Sequence, residues 1–322
     1  MLEESMRRIA DEVGAMLKES LSGDGSPLYR SAYHLPSQGG KRMRPFLVAR
    51  SCEIVGGKAE SALPAAAAVE ALHNFTLVHD DIMDNDLLRR GVPTVHTVWG
   101  TPMAILSGDL LFAKAFEILL TSGARSEPLR RSGEALAVAT VRLSEGQSLD
   151  MSFEERDDVT EAEYLTMISG KTAALFEASA KIGAIIGSGD EESIRRLGEY
   201  GWNMGMAFQI FDDYLGLTSK EEVLGKSVGN DIREGKKTLV IIKARQTGLK
   251  RQLQPLLGNK NASDADLAAL ISLMKENGTL DFVRCKAQEY VDSAIDSLST
   301  FPDTSAKRDL KELADYAIWR KK

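Results

Sequence analysis

The amino-acid sequence predicts an all-α protein, a single large helical bundle in one domain spanning residues 1–322, and three observations predict it. Apolar residues recur at helical spacing in nearly every segment. Several segments are apolar nearly all round, as buried helices are. No run of alternating strands and no repeat with a period of 20–50 residues is present. With 322 residues and 43% hydrophobic content, the chain can bury a large core.

Taken in order, residues 1–20 place Leu2, Met6, Ile9, Val13 and Leu17 on one stripe, and SGDGSP at 22–27 stops that helix. A second helix is expected from Pro45 to about Ile54, because proline is welcome in a first turn, and Gly56 and Gly57 end it. The central helix is expected from Glu60 to Leu87, its PAAAAVEAL run suiting close packing. Residues 101–122 are apolar nearly all round, and helices of similar character follow at 128–152, 171–187 and 191–217. The segment 219–237 is polar, contains glycine and is long for a loop in a compact domain, which marks it as functional. Helical spacing returns at 238–246, 264–276, 279–298 and 304–319.

A net charge of −7 and a pI of about 5.4 argue against nucleic acid as a partner, since phosphate-backbone binding wants a basic surface. Cys52 and Cys285 form no CxxC, so neither a disulfide framework nor a zinc site is expected, and a reducing cytoplasm is. The N-terminal MLEESMRRIADEVG carries no secretory signal, and no uncharged apolar stretch is long enough for a transmembrane anchor.

The stretch ALHNFTLVHDDIMDNDLLRRG, residues 71–91, continues an apolar helix into three acids, Asp80, Asp81 and Asp84. At about 100° per residue these fall on or beside one helix face, where like charges repel unless a cation sits among them. Oxygen-only ligands are hard, which favours Mg²⁺ held by carboxylates and completed by substrate phosphates. Arg89 and Arg90 just beyond suit a second anion, because guanidinium forks match phosphate oxygens.

A second acid pair, Asp212 and Asp213, follows Phe208, Gln209, Ile210 and Phe211 on another apolar helix. If the two helices face each other, they could clamp several divalent ions around one polyphosphate. Three basic groups accompany them: Lys41, Arg42 and Arg44 in GGKRMRP, then Arg89 and Arg90, then Lys226, Lys236 and Lys237 on the long loop. In an acidic protein, such placement implies one metal-bound polyanion and a second, metal-free anion.

GGKRMRP, HDDIMDNDLLRRG, LSGDLLFAKAFE, EGQSLD, GKTAALF, FQIFDDYLGL and LGKSVGNDIREGKKT together resemble, in order and over almost the full chain, the trans-isoprenyl diphosphate synthases, specifically the archaeal-type short-chain geranylgeranyl diphosphate synthases. That resemblance implies an isoprenoid-synthase bundle around a deep central cavity, working as a homodimer. It implies a prenyltransferase that condenses isopentenyl diphosphate head-to-tail with dimethylallyl, geranyl or farnesyl diphosphate, with three Mg²⁺ per active site when substrate is bound. Asp80, Asp81, Asp84, Asp212 and Asp213 would bind the metal that holds the allylic diphosphate. Lys171, Lys226, Lys236 and Arg89 would contact the same diphosphate, and Gly40, Lys41, Arg44, His73 and Arg90 the isopentenyl diphosphate. Gln147, Asp150 and Gln209 would support the metal and cation region, while Thr172 and the Lys171 carbonyl face the developing allylic cation. The residues implied in catalysis are therefore Lys171, Thr172, Gln209, Asp80 and Asp81. One position departs from the family's second DDxxD: Gly216 stands where the last acid often is, so Asp212 is expected to be the stronger ligand of the second-motif metal, with Asp231 as a helper through water.

Phe75 stands five residues before Asp80, about 7.5 Å down the helix at about 1.5 Å per residue, where a growing prenyl tail would run. An aromatic there resembles the enzymes that make the C20 product, although small Thr76 and Ala104 keep C25 open, and C15 is the other alternative. Three further readings compete. An HD-type phosphohydrolase would use His79 with Asp80, together with His34 or His73 and Asp109, but it leaves the basic groups idle. A terpene cyclase would want NDxxSxxxE, where NDIREGKKT has Glu234 and Thr238. A non-catalytic helical partner would be expected to have lost the acids that this chain keeps.

Overall fold

The computed structural model describes residues 2–218 and 229–319. Helix α1 (Leu2–Ser20) buries Met6, Ile9, Val13 and Leu17, the stripe its spacing predicts. Pro27 then opens α2 (Pro27–Ser37) from a first-turn position where its missing N–H costs nothing. This helix has no counterpart in the spacing-based reading, because half of what it buries, Ser31 and Pro36 beside Ala32 and Leu35, is not a hydrophobic stripe. Helix α3 (Met43–Ile54) begins ahead of Pro45, with Arg42 before it in the left-handed region at φ 48°.

Helix α4 (Ala59–Met83) packs its Ala65–Ala68 run into the core but stops short of Leu87. Asp84 caps it, Asn85 turns left-handed at φ 53°, and the Asp86 N–H donates back to the Asp81 carbonyl at 3.0 Å. The chain then forms a small antiparallel hairpin, β1 (Leu88–Arg89) against β2 (Val92–Pro93), with Arg89 opposite Val92. Its two-residue turn has positive φ at both Arg90 (54°) and Gly91 (78°), the geometry that suits the twist of a tight hairpin.

The remaining elements are helical: α5 (Val95–Trp99), α6 (Thr101–Leu120), α7 (Ser126–Glu154), α8 (Glu161–Ile168), a π-helical turn (Ser169–Ala173), α9 (Ala174–Ile186), α10 (Glu191–Thr218), α11 (Asn230–Glu234), α12 (Leu239–Gln246), α13 (Lys250–Leu253), α14 (Asp264–Glu276), α15 (Thr279–Ser297) and α16 (Ser305–Trp319). The fold is all-α. Contacts group the chain into two compact units, Met1–Val138 with Leu175–Gly201 and Leu298–Glu312, and Ala139–Ala174 with Trp202–Ser297 and Leu313–Lys322.

In the first unit, α4 lies along α6. A cluster of Leu21, Ala32, Leu35, Val78, Val95, Ala104 and Leu111 is buried there, and Phe75 and Trp99 pack against it. In the second unit, α7 meets the π-helical turn backbone to backbone. A Cβ on Gly146 would overlap the Lys171 nitrogen and the Gly170 carbonyl carbon, and one on Gly170 would lie 2.6 Å from the Arg142 carbonyl oxygen. Two facing glycines thus bring EGQSLD against GKTAALF. A capping box at Thr160 and Glu163 starts α8, which leads into that turn.

Two glycines of α7 separate packing from propensity. Gly133 has open space where a Cβ would be, so Gly133→Ala should stabilise the protein by about 0.5–1 kcal/mol through backbone entropy alone. Gly146→Ala should destabilise it by about 1–3 kcal/mol, because the atoms it meets are backbone and cannot rotate away. Thermal melting of the two variants checks both signs; a Gly146→Ala protein as stable as the parent would overturn the close approach.

Candidate active site

In the first unit, the end of α4 builds one group of acids. Asp81 is 1% exposed, while Asp80 and Asp84 are half-buried. Because the helix stops at Met83, the hairpin carries Arg89 back over the acids: its Nε donates to Asp81 Oδ1, and its Nη2 lies 3.4 Å from Asp86 Oδ2. Asp81 Oδ2 has no hydrogen-bond partner among the described residues. Burial raises the Asp81 pKa above the usual carboxylate value, and the charge and hydrogen bond of Arg89 pull it back.

The same unit gathers GGKRMRP, Arg89, Arg90 and His73. Arg42 is spent on structure: buried, it pairs with Glu70, and its Nη2 donates to the Pro36 carbonyl at 2.7 Å. It is therefore no anion ligand, which corrects its grouping with Lys41 and Arg44. Arg44 Nη1 lies 3.3 Å from His73 Nε2, and its guanidinium stands 4.2 Å over the Phe176 ring. Burial lowers the Arg44 pKa to about 10, against the pull of Glu70 and with a push from Arg90, so it stays charged at neutral pH. Burial first, then Arg44, Arg90, Arg42 and Arg89, hold the His73 pKa well below its ordinary value, so His73 is neutral. Arg90 Nη1 donates to the Gly39 carbonyl at 2.5 Å. Its guanidinium carbon would be 3.3 Å from a Cβ on Gly40, where φ is 136°. Gly40 therefore answers both a backbone and a space requirement, and exposed Lys41 completes the patch.

In the second unit, a separate group of polar side chains is built on the part of α10 that follows Gly201 and on the π-helical turn. Lys171 Nζ donates to Asp150 Oδ2 at 2.5 Å, so GKTAALF and EGQSLD meet through side chains as well as backbone, with Gln147 buried beside them in EGQSLD. The Thr172 hydroxyl donates to Gln209 Oε1 at 2.8 Å, and Gln209 Nε2 donates to Asp213 Oδ1 at 2.8 Å. The Tyr164 hydroxyl donates to Asp213 Oδ2 at 2.7 Å. Asp213 is buried, Asp212 half-buried. Burial, then Asp231, and last Asp212 push the Asp213 pKa up to about 8, while the hydrogen bonds from Tyr164 and Gln209 work the other way. Asp231 Oδ2 would lie 3.0 Å from a Cβ on Gly216, and the Gly229 N–H donates to the Gly216 carbonyl at 3.1 Å, which ties α11 to the end of α10.

Of the lysine loop, Lys226 lies outside the described residues. Lys236 Nζ is 3.1 Å from Glu234 Oε2, and Lys237 Nζ donates to the Gly235 carbonyl at 2.7 Å. Phe75 is half-buried and is the first of a row of rings: its centroid is 5.5 Å from that of Phe112, which is 5.2 Å from Phe116. Thr76 turns its hydroxyl onto the His73 carbonyl at 2.8 Å, and Ala104 is fully buried. The histidines an HD-type hydrolase would need are occupied elsewhere. His79 Nε2 is 3.2 Å from the Ile105 carbonyl, and His34 Nε2 is 2.7 Å from the Pro93 carbonyl with its ring against Trp99.

Two residues of the site escape sequence reasoning. Glu70 sits in an alanine-rich helix as if on its solvated face, yet it is buried against Arg42 and takes a hydrogen bond from Asn74 at 3.0 Å. Tyr164 reads as core; the signal that could have found it is its place seven residues, about two helical turns, before Lys171.

The donor set fits Mg²⁺. One buried carboxylate oxygen of Asp81 has no hydrogen-bond partner among the described residues, and burial together with Asp231 and Asp212 makes Asp213 resist ionisation; a hard cation would relieve either condition. Among the described residues no three His, Cys, Asp or Glu side chains already converge as a metal cage. Mg²⁺ is ordinarily bound through one or two carboxylates plus substrate phosphates.

Asp213 also makes a pH prediction. Its folded pKa, about 8, lies above the 3.8 of a free carboxyl, so the stability it contributes is full at low pH and is lost as pH rises toward 8. The Tm of the metal-free protein should therefore fall between about pH 5 and pH 8, and Asp213→Asn should flatten that fall. Parallel melting profiles for parent and variant would exclude Asp213 as the group responsible.

Comparison with known proteins agrees with this geometry. Residues 26–274 match the Polyprenyl synthetase family. The chain is 46% identical over 98% of its length to the geranylgeranyl diphosphate synthase of Sulfolobus acidocaldarius, covering 97% of that protein. It is 44% identical over 91% of its length to the geranylfarnesyl diphosphate synthase of Aeropyrum pernix, covering 94% of it. The crystal structure of geranylgeranyl pyrophosphate synthetase from Pyrococcus horikoshii superposes with a TM-score of 0.91 at 43% identity, covering 99% of each chain. With a family match over residues 26–274 and relatives at 43–46% identity over nearly the whole chain, the chain belongs to the polyprenyl synthetase family.

Proposed function

We propose that the chain is a trans-prenyltransferase that condenses isopentenyl diphosphate head-to-tail with dimethylallyl, geranyl and farnesyl diphosphates and stops at all-trans geranylgeranyl diphosphate, C20. The observation that carries this reading is Asp81: a buried carboxylate with one oxygen on Arg89 and the other without a partner among the described residues, at the end of an apolar helix that bears Phe75 below it.

Asp80, Asp81, Asp84, Asp212 and Asp213 are the proposed metal ligands, with up to three Mg²⁺ per site. When bound, Mg²⁺ would neutralise the diphosphate oxygens on which charge gathers as the allylic C–O bond breaks. Arg89, Lys171, Lys226 and Lys236 hold that diphosphate, and Lys171 leaves Asp150 to do so. The Thr172 oxygen and the Lys171 carbonyl face the allylic cation, and Gln209 supports Thr172. Gly40, Lys41, Arg44, His73 and Arg90 take the isopentenyl diphosphate by charge and hydrogen bonding; neutral His73 adds a ring N–H without adding a titrating proton. The isopentenyl double bond then attacks the cation, and the proton lost goes to the departing pyrophosphate. No Ser, Cys or His nucleophile is required. Phe75, backed by Phe112 and with Thr76 beside it, is the floor that ends growth.

The whole of residues 1–322 acts in this reading as one catalytic domain, paired with a second copy and working in the cytoplasm. Supporting the pairing are exposed apolar side chains on α6 and α7, Ile105 (45%), Leu106 (51%), Leu120 (60%) and Val138 (53%). Supporting the compartment, Cys52 and Cys285 are both free. Among the described residues no helix is long and apolar enough to cross a membrane.

Incubation with Mg²⁺, labelled isopentenyl diphosphate and each allylic starter tests the activity. Lipid-extractable label that needs both substrates is the expected result. Phosphate release from one substrate alone would favour a hydrolase or cyclase, and no turnover a regulatory partner. Phe75→Ala should shift the product beyond C20 by chromatography, and an unchanged product distribution would remove Phe75 as the floor. Sedimentation equilibrium should give a dimer mass; a monomer at micromolar concentration would refute the pairing.

A further inference from the structure

Tyr164 is 0% exposed and one of the largest fully buried side chains, yet it carries a hydroxyl, and a buried hydroxyl must find a partner. The partner is Asp213 Oδ2, at 2.7 Å. The other Asp213 oxygen accepts from Gln209 Nε2 at 2.8 Å, and Gln209 Oε1 accepts from the Thr172 hydroxyl at 2.8 Å. We infer that Tyr164 is a positioning residue for the reaction: by occupying one oxygen of Asp213 it leaves the other to fix the Gln209 amide, and so sets the direction in which Thr172 presents its oxygen.

The polarity of the chain gives the inference its content. The Tyr164 hydroxyl and the Gln209 NH₂ both donate to Asp213, one to each oxygen, and that turns the Gln209 carbonyl toward the Thr172 hydroxyl. The Thr172 proton is then committed to Gln209, and the Thr172 oxygen has only lone pairs left to offer. An acceptor of that kind stabilises a neighbouring positive charge and cannot protonate a neighbouring alkene. Thr172 lies in the π-helical turn, where backbone geometry departs from the regular helix, as it often does at functional sites. Without the Tyr164 hydroxyl, Asp213 Oδ2 becomes free to compete for the Gln209 amide, and the amide loses its single orientation.

The inference rests on the prenyltransferase reading of this site, and the test keeps the two apart. Tyr200 serves as the control: it is also fully buried, and its hydroxyl donates to the Leu310 carbonyl at 2.7 Å. Steady-state kinetics with Mg²⁺, farnesyl diphosphate and isopentenyl diphosphate are compared for the full-length parent, Tyr164→Phe, Tyr200→Phe, Gln209→Ala and the Tyr164→Phe/Gln209→Ala pair. Tyr164→Phe should lower kcat by about 10- to 100-fold with both KM values within about twofold of the parent. Tyr200→Phe should lose comparable thermal stability but keep kcat within about twofold. In the Gln209→Ala background, Tyr164→Phe should have no further effect, because the two act as one unit. Parental kcat in Tyr164→Phe, or multiplicative losses in the pair, would overturn the inference. A parent that forms no prenyl product would instead overturn the reading beneath it.

Discussion

A buried carboxylate that lacks full compensation is the constraint on which the site depends. Removing an ionised acid from water costs several kcal/mol even after relaxation, and the protein must either pair it, hydrogen-bond it or leave it protonated. Asp81 and Asp213 show two different partial answers. Asp81 is paired on one oxygen by Arg89, and Asp213 is hydrogen-bonded on both oxygens yet still has its pKa pushed up to about 8 by burial and by the acids around it. Neither answer is complete, and in the proposed reaction a divalent cation arriving with a diphosphate would supply what each carboxyl lacks.

The arginines divide by the same logic. Arg42 and Arg44 are two residues apart, but Arg42 has a buried carboxylate in Glu70 and a carbonyl in Pro36, so its charge is used up inside the fold. Arg44 has a neutral histidine and an aromatic face as its close neighbours. Among the described residues its guanidinium has packing without a counterion in contact, which is the condition in which it can bind an incoming anion. Holding His73 neutral belongs to the same design, since a protonated imidazole among four arginines would need a counterion of its own.

Much of this was legible in the chain, and the parts that were not have physical reasons. Regular amphipathic and fully apolar helices declare themselves by spacing, which is why α1, α6 and α10 lie where expected. Helix α2 escaped because small and polar residues fill its buried face, and the stop of α4 at Met83 because the crowded acids end the helix where apolar spacing continues. That early stop matters more than its length suggests, because it lets Arg89 double back onto Asp81. Motifs single out the acids, Lys171, Thr172 and Gln209 as candidates, but a motif carries no direction. Only the fold separates Arg42 from Arg44 or reveals Tyr164, which linear spacing cannot tell from any other core aromatic. Lys226, assigned with the lysine loop, lies outside the described residues.

The departure at Gly216 follows the same reasoning. A side chain there would meet Asp231 Oδ2 at its first carbon, so the space that an acid at 216 would need is the space that Asp231 uses. The hydrogen bond from the Gly229 N–H to the Gly216 carbonyl fixes this approach through backbone atoms. Negative charge is thereby kept beside Asp212 and Asp213, and Asp231 is the strongest of the neighbouring charges that raise the Asp213 pKa. A one-dimensional motif scores Gly216 as a missing ligand; in three dimensions the glycine is the opening through which an acid from α11 reaches the same place. The local charge, not the letter at 216, is what a cation would meet.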